Sequence, residues 1–560
     1  MLGKRWRLTL LMGVIALGFV VAVACAGEEE EEEPTATVAA GETPAAREGG
    51  EIVVHATEPE FLDPHISDFE MDITIEQMIY RGLYDLLPGG VLRPAYAEDL
   101  PQVSDDGLVY TIKIKDGMKW GNGETLDAND FVFGIQRTCN PDVAGHYQYI
   151  LTNLAGCDDY YNATDAAPEE KANLQNLVGV RAVDNLTLEI TLANPQPTFQ
   201  SILALWPTYP APDETLASVD TDWPAPPQTP CNGPFCATEL VTGDHLTLEA
   251  NPNWALEPKP SLDKITLRFI DDFSVALRAY ENGELDMIRV GQQDLPLVRD
   301  RDDFHAQPLP ITIGLKYLMT DPLLSDLNVR LALSRAIDRE LYAQVVFNGG
   351  VIPTTNWVPA EEPGANEAGI FDYAIGFDPE AAKTALAEAG YPNGEGFPGV
   401  SLIIRDDVTE RAAAEFLQNA FREHLNIQLN IEVVDSQTRQ QRFNESNFQL
   451  LLGGWGHDYP DAENWLIGLY NTGASINKQK CSNPEIDAAL EAAQFEQDQA
   501  KRFELLQEAE RLVVTTLCGI APLYHRGNFY LISPKLQGVE PTLEDHFLPQ
   551  FPENWSLAAS

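Results

Sequence analysis

The chain has 560 residues, with 86 acidic against 36 basic side chains and a formal charge of −50. A surface of that sign repels phosphate backbones, which excludes a nucleic-acid partner held by charge neutralisation. The hydrophobic content of 44% is ordinary for globular protein, and no repeat of solenoid length is apparent.

Residues 1–24 open with Lys4, Arg5 and Arg7 and continue as an apolar segment over residues 8–23 that reaches Cys25. That is the build of a signal peptide, which takes no part in the fold. The junction at residues 21–25 resembles a bacterial lipoprotein cleavage site, with Ala22 standing where a larger aliphatic residue is usual. The resemblance implies that Cys25 is lipidated and becomes the new N-terminus. A spanning helix is the alternative, for which the apolar segment is short. Six consecutive glutamates, Glu28 to Glu33, and a Pro/Thr/Ala/Gly-rich run complete residues 25–50. Like charges repel and nothing there can pack, so this segment reads as a disordered tether that holds a body off the membrane.

Six further cysteines lie in a chain that is exported and can therefore form disulfides. Cys231 and Cys236 bracket a tight loop, Cys139 and Cys157 flank one apolar segment, and Cys481 and Cys518 are left to each other. None has the two-plus-two spacing of a zinc site, and neither a metal nor a cofactor is expected.

About 510 residues after the tether exceed one core and call for two or three domains. Residues 52–55 read as a strand and residues 62–65 as a turn, after which Ile75, Met78, Ile79 and Leu83 recur on one helical face. Residues 108–114 alternate as a strand and lead to a helix start at residues 126–130. A strand at 265–270 precedes a helix at 274–282. A strand at 401–404 precedes a helix at 411–425 and a strand at 427–434. Such alternation predicts α/β domains with helix-covered sheets.

Residues 448–470 are the strongest candidate site. Phe448, Leu450, Leu451 and Leu452 read as a buried strand that stops at Gly453 and Gly454, where a second backbone can approach closely. Trp455, His457, Asp458 and Tyr459 follow. Pro460 and Asp461 look like a helix start, with Asp461 as N-cap of an amphipathic turn through Trp465, Leu466 and Leu469 that ends at Asn471 and Gly473. Asp458 is left without local structural work, between aromatic residues, as a carboxylate for a cationic group. The plainer alternative is a solvated loop aspartate.

Several motifs in one order carry a family resemblance. They are SDDGLVYTIKIKDGMKWGNGETLDANDFVFGIQR, NGPFCATELVTGDHLTLEANPNW, SLDKITLRFIDDFSVALRAYENGELDM, NVRLALSRAIDRE, GFDPEAAKTALAEAGYPNGEGFP and the Trp-x-x-Asp-Tyr of Trp455 to Tyr459. Together they resemble the family 5 extracellular solute-binding proteins of ABC importers, the oligopeptide- and dipeptide-binding group. The resemblance implies an α/β, two-lobed periplasmic-binding-protein-like clamshell with an additional domain inserted in the first lobe. Lobe I would take residues 51–90, 231–310 and 529–560, the extra domain residues 91–230 and lobe II residues 311–528. It further implies a monomer that performs no chemistry, binds a peptide-like solute and hands it to an ABC permease with cytoplasmic ATPases.

Carried over residue by residue, Asp458 falls on the aspartate that holds a ligand α-ammonium, and Trp455 on a cleft tryptophan. Gly454 and Gly456 fall where main-chain groups hold the peptide as an added strand, and Tyr459 follows in the same segment. Leu452 stands where oligopeptide binders have an arginine, and Glu410 falls near a histidine that helps receive the peptide carboxylate. A carboxylate anchor is therefore not evident, and Arg405 is the candidate replacement. Tyr147, Tyr149, Tyr160 and Tyr161 read as packing. The rival readings are another cargo for the same machine (an oligosaccharide, metal chelate, haem or glutathione) and a secreted hydrolase using Asp458 with Asp461 or Glu463. No catalytic or phosphate-loop motif supports the latter.

Overall fold

The structure is a computed structural model that describes residues 46–47, 49–212, 223–474, 476–542, 545 and 547–558. The leader, Cys25 and the tether through residue 45 lie outside the described residues.

Eleven strands join in one sheet, organised on two long antiparallel strands, Phe304–Tyr317 and Ile520–Ile532. Beyond the first come Leu450–Gly456, Val400–Arg405 and Leu429–Val434. Beyond the second come Met287–Arg289, Glu51–Ala56, Lys264–Phe269, His245–Ala250 and Phe235–Val241. The short strand Val351–Pro353 also pairs with Ile520–Ile532.

The two long strands do not pair evenly. Residues 304–308 face residues 527–531, residues 312–316 face residues 520–525, and the register shifts between Pro308 and Thr312. Pro308 and Pro310 have no amide hydrogen to give a ladder, so pairing breaks where they stand. The break also separates the hydrophobic cores. One core draws every member from residues 315–524, around Trp357, Trp465 and Leu417. Its two tryptophans are fully buried and meet edge to face at 5.7 Å, each contributing about 1.5–3 kcal/mol of burial or more. The other large core gathers Ile52, Ile75 and Leu267 with Phe131, Ile190 and Trp206, and a smaller one lies around Ile288 and Leu531. Residues 102–191 add a separate sheet of four short strands, ordered Gln102–Val103, Val109–Lys113, Thr187–Thr191, Val180–Asp184.

Helices start where short polar side chains can take the free N–H groups of the first turn. Asp127 and Asp130 make a reciprocal capping box on Ala128–Thr138, while Asp272 caps Phe273–Glu281 and Asp407 caps Val408–Leu425. The helix Glu70–Ile79 ends earlier than the apolar spacing suggests, leaving Leu83 outside it. The amides of Asn232 and Gly233 donate to the Ile79 carbonyl, and the Asn232 side chain accepts from Arg81 N–H, so tertiary partners terminate the helix. Cys139 bonds Cys157, Cys231 bonds Cys236 and Cys481 bonds Cys518.

Candidate functional site

The strand Leu450–Gly456 does not stop at its glycines. It runs antiparallel to Phe304–Tyr317 through Gly454 opposite Ile313 and Gly456 opposite Ile311. A Cβ on Gly454 would lie 1.9 Å from the Thr312 carbonyl oxygen, so the close backbone approach read from the sequence is to the neighbouring strand. The opposite edge is different. Val400–Arg405 pairs only with Leu450 and Leu451, and among the described residues no strand covers that edge from Leu452 to Gly456. Alternate main-chain groups along these residues point to that edge and are open to an added strand, apart from the Leu452 carbonyl, which Arg439 takes.

The free edge leads to Asp458. Its carboxylate accepts from Asn464 Nδ2 at 3.1 Å, and the hydroxyls of Tyr149 and Tyr147 lie near enough to favour its charged form. Burial pushes the carboxyl above the ordinary aspartate range, and these donors only partly offset it. The two tyrosines come from residues 146–151, so their assignment to packing alone is corrected: they reach across to the candidate site. Asn464 holds the cluster together. Its Oδ1 accepts from Trp455 Nε1 at 2.9 Å and from the Asp458 amide at 3.1 Å, fixing the indole and the carboxylate relative to each other.

Cavities open on both sides of Asp458. One, of about 550 Å³, lies between Tyr149, Asn153 and Gln196 on one wall and Trp455, Asn464 and Phe495 on the other. A second, of about 230 Å³, is bounded by Asp68, Glu70, Tyr147, Pro310, Gly456 and Asp458. A slightly larger cavity of about 660 Å³, among Arg335, Tyr373 and His525, lies away from Asp458 and from the open strand edge.

The neighbouring carboxylates have structural roles. Asp461 caps the short helix Ala462–Leu466 through the Glu463 amide at 2.8 Å, and its oxygens receive Arg502 at 2.9 and 2.8 Å. Glu463 receives Arg502 at 2.5 Å and the Tyr459 hydroxyl at 3.4 Å. Both are buried; Glu463 shares the larger cavity with Asp458 but is held by Arg502, while Asp458 borders both cavities and has no cation on it among the described residues. His457 turns inward to Glu362 at 2.6 Å. Tyr459 is buried and belongs to the core that holds Ile52 and Trp206, although it also borders the larger of the two cavities.

Arg405 lies at the end of its strand, and Glu410 occupies it: the backbone amide donates to one carboxylate oxygen at 2.7 Å and Nε to the other at 2.6 Å. It borders none of the cavities described above. The basic groups near the open edge are instead Lys316 and Arg439, which the sequence reading did not single out. Arg439 donates to the Leu452 carbonyl, and Lys316 packs over Phe443 at 5.0 Å. Nothing local marks them, because they come from a strand and a helix far apart in the chain.

Two cores joined through a proline-broken pair of strands, with a carboxylate, an indole and the Gly456 end of a bare strand edge bordering cavities, form a scaffold for holding a small solute. The molecule has the two-lobed α/β build of periplasmic binding proteins. Residues 91–477 match the family model of the bacterial extracellular solute-binding proteins, family 5 (middle), and the chain belongs to that family. It is 27% identical over 493 residues to the oligopeptide-binding protein OppA of Bacillus subtilis, covering 86% of this chain and 88% of that one. It is 27% identical over 489 residues to the probable deoxycholate-binding periplasmic protein YgiS of Escherichia coli, covering 86% and 89%. Among solved structures it resembles the unliganded open form of the murein tripeptide-binding protein MppA, with a TM-score of 0.78 at 25% identity over 92% of this chain and 99% of that one.

Proposed function

We propose that this protein is a lipid-anchored extracytoplasmic receptor that binds a peptide-like solute between its lobes and delivers it to an ABC permease with cytoplasmic ATPases. The observation that carries the reading is the open edge at residues 452–456, which ends beside Asp458. An extended peptide added there gains main-chain hydrogen bonds that ignore its side chains, while Asp458 pairs with its α-ammonium. Gly454 and Gly456 contribute backbone groups, and Trp455 and Tyr459 border the space for side chains. The lobes are residues 51–90, 231–310 and 529–560 for the first and 311–528 for the second, with residues 91–230 as an extra domain. The confinement of one core to residues 315–524 supports that division. Closure would pivot at Pro308 to Ile311, and the closed monomer is the form that docks on the permease. Native mass spectrometry of the purified protein, followed by calorimetric titration with short peptides, tests the reading. A recovered ligand without a peptide backbone, together with no heat from any peptide, would overturn it.

One observation favours a different cargo for the same machine. The 550 Å³ cavity is bounded by Tyr149, Trp455 and Phe495 with amides from Asn153, Gln196 and Asn464, and among the described residues no lysine or arginine borders it. Aromatic faces with amides suit an oligosaccharide. A cello- or manno-oligosaccharide series in the same calorimeter distinguishes the two, since sugar binding needs no charged end group.

A further inference from the structure

The cavity of about 660 Å³ among Arg335, Tyr373 and His525 has no part in the reading above, although it is larger than either cavity beside Asp458. A concave space of that size is the usual form of a small-molecule site. Its residues come from the end of the strand pair, at Pro308 and His525, and from loops and helix starts between residues 335 and 381.

His525 is the sign of an occupant. The ring is 8% exposed, and its Nδ1 lies 2.8 Å from the Thr312 hydroxyl. Among the described residues no hydrogen bond reaches Nε2, the nitrogen left for the cavity that the ring borders. Burial holds its pKa down to about 4, so the ring is neutral at pH 7. With Nδ1–H given to the Thr312 hydroxyl, Nε2 presents a lone pair that an N–H donor would satisfy.

The charges around the cavity select that donor. Asp338, Glu340, Glu361, Asp372 and Asp378 bring five carboxylates, against two guanidiniums and, among the described residues, no lysine. Arg339 is buried and turned into the frame, donating to the carbonyls of Pro522 and Ile375 and to the Ser334 hydroxyl, and Arg335 gives Nε to the Ala374 carbonyl at 2.9 Å. Asp338 and Asp378 cap helices. Asp372 is fixed by the buried Thr355, whose hydroxyl donates to Oδ1 at 2.8 Å, and its Oδ2 has no hydrogen bond among the described residues. No three carboxylates or histidines among the described residues converge to hold a metal ion, which leaves an organic cation. Ile352, Tyr373 and Phe377 border the same space at 46%, 74% and 43% exposure, an apolar rim suited to an apolar or aromatic body.

We propose that this cavity is a second small-solute site that takes a primary amine with an apolar or aromatic body, its ammonium donating to His525 Nε2 and the Asp372 carboxylate and its body lying against Tyr373 and Phe377. The site lies away from Asp458 and does not depend on the peptide reading.

The test titrates phenethylamine calorimetrically into the full-length protein without its leader, beside 2-phenylethanol, which keeps the ring and lacks the charge. The amine should bind at least about tenfold more tightly than the alcohol, the scale of one charge-assisted pair. Asp372→Asn can still accept from Thr355 and should weaken the amine about tenfold, and Tyr373→Ala should weaken it about threefold or more. Both side chains are exposed, so both variants should melt at the wild-type temperature. No heat from the amine, equal affinity for amine and alcohol, or amine binding that survives both substitutions overturns the site; the last result places the amine elsewhere on this acidic chain, Asp458 included. None of these results bears on the peptide reading, whose residues neither variant alters.

Discussion

Replacing Asp458 by Asn changes one atom and removes one charge. The variant side chain can still accept from Asn464 Nδ2, which now lies at 3.1 Å, and its new amide hydrogens can donate to the Tyr147 and Tyr149 hydroxyl oxygens. The local scaffold therefore survives. Burial already holds the Asp458 carboxyl above the ordinary range, so the folded state binds that proton more tightly than the unfolded chain does. The sign follows: this group's contribution to stability is complete below the unfolded pKa and is lost as pH rises through the folded one, so Asp458→Asn should not lower the melting temperature at pH 7. Binding responds in the opposite direction. A charge-assisted hydrogen bond contributes about 1.5–3 kcal/mol, so an ammonium-bearing peptide should weaken by about tenfold to a hundredfold. Acetylating the peptide's amino group should cost wild type about the same, and the two losses should not add, because each removes the same pair. Affinity of wild type for the free peptide should also fall on acidification, beginning at a higher pH than an ordinary aspartate would give. Calorimetric titration of both proteins with both peptides reads all of this. Additive losses, wild-type affinity in the variant, or a large drop in its melting temperature would refute the assignment and make Asp458 a loop-fixing residue.

Glu510 tests the buried electrostatics of the second core. It accepts from the amides of Trp357 and Val358 at 2.9 and 2.8 Å and from Asn366 at 2.7 Å, yet burial pushes its carboxyl from 4.5 up to about 7. That shift corresponds to about 3 kcal/mol, present below pH 4.5 and lost as pH rises through 7. Urea unfolding should show this decline between pH 5 and pH 8 in wild type and a flatter profile in Glu510→Gln; equal slopes would count against the buried-acid account. Arg502→Leu leaves Asp461 and Glu463 buried without their cation and should destabilise by about 3–5 kcal/mol in urea, whereas a change below 1 kcal/mol would mean that the pair is hydrated. Cys25→Ser should release the protein from the membrane fraction of the producing cell; equal retention of the variant would point to a spanning leader instead.

Several features of this molecule were decided within a few residues of sequence, and those were legible. Asp127 and Asp461 cap helices because each side chain bonds an amide two positions on, a contact that needs no distant partner, whereas the helix read at 411–425 begins three residues earlier, behind Asp407. The α/β alternation and the apolar start of the strand that carries Trp455 follow from the same local logic, and the family motifs lie in similarly short runs. What the tertiary structure decided lies across gaps of tens to hundreds of residues. The Leu450–Gly456 strand continues past its glycines because Thr312 lies against Gly454, and the helix at Glu70–Ile79 ends where Asn232 and Gly233 bond its last carbonyl. Tyr147 and Tyr149 come beside Asp458 from a helical turn at residues 146–151, and Arg405, in sequence the candidate carboxylate anchor, is occupied by Glu410. Lys316 alternates along its strand like any surface residue, and only the crossing of that strand beneath the helix Ser436–Asn444 buries it. A capping bond or a periodicity depends on the backbone geometry of one turn or one pleat, so neighbouring residues suffice to determine it. A charge's partner depends on which distant segment the sheet order brings beside it, and that is set by the packing of the whole chain.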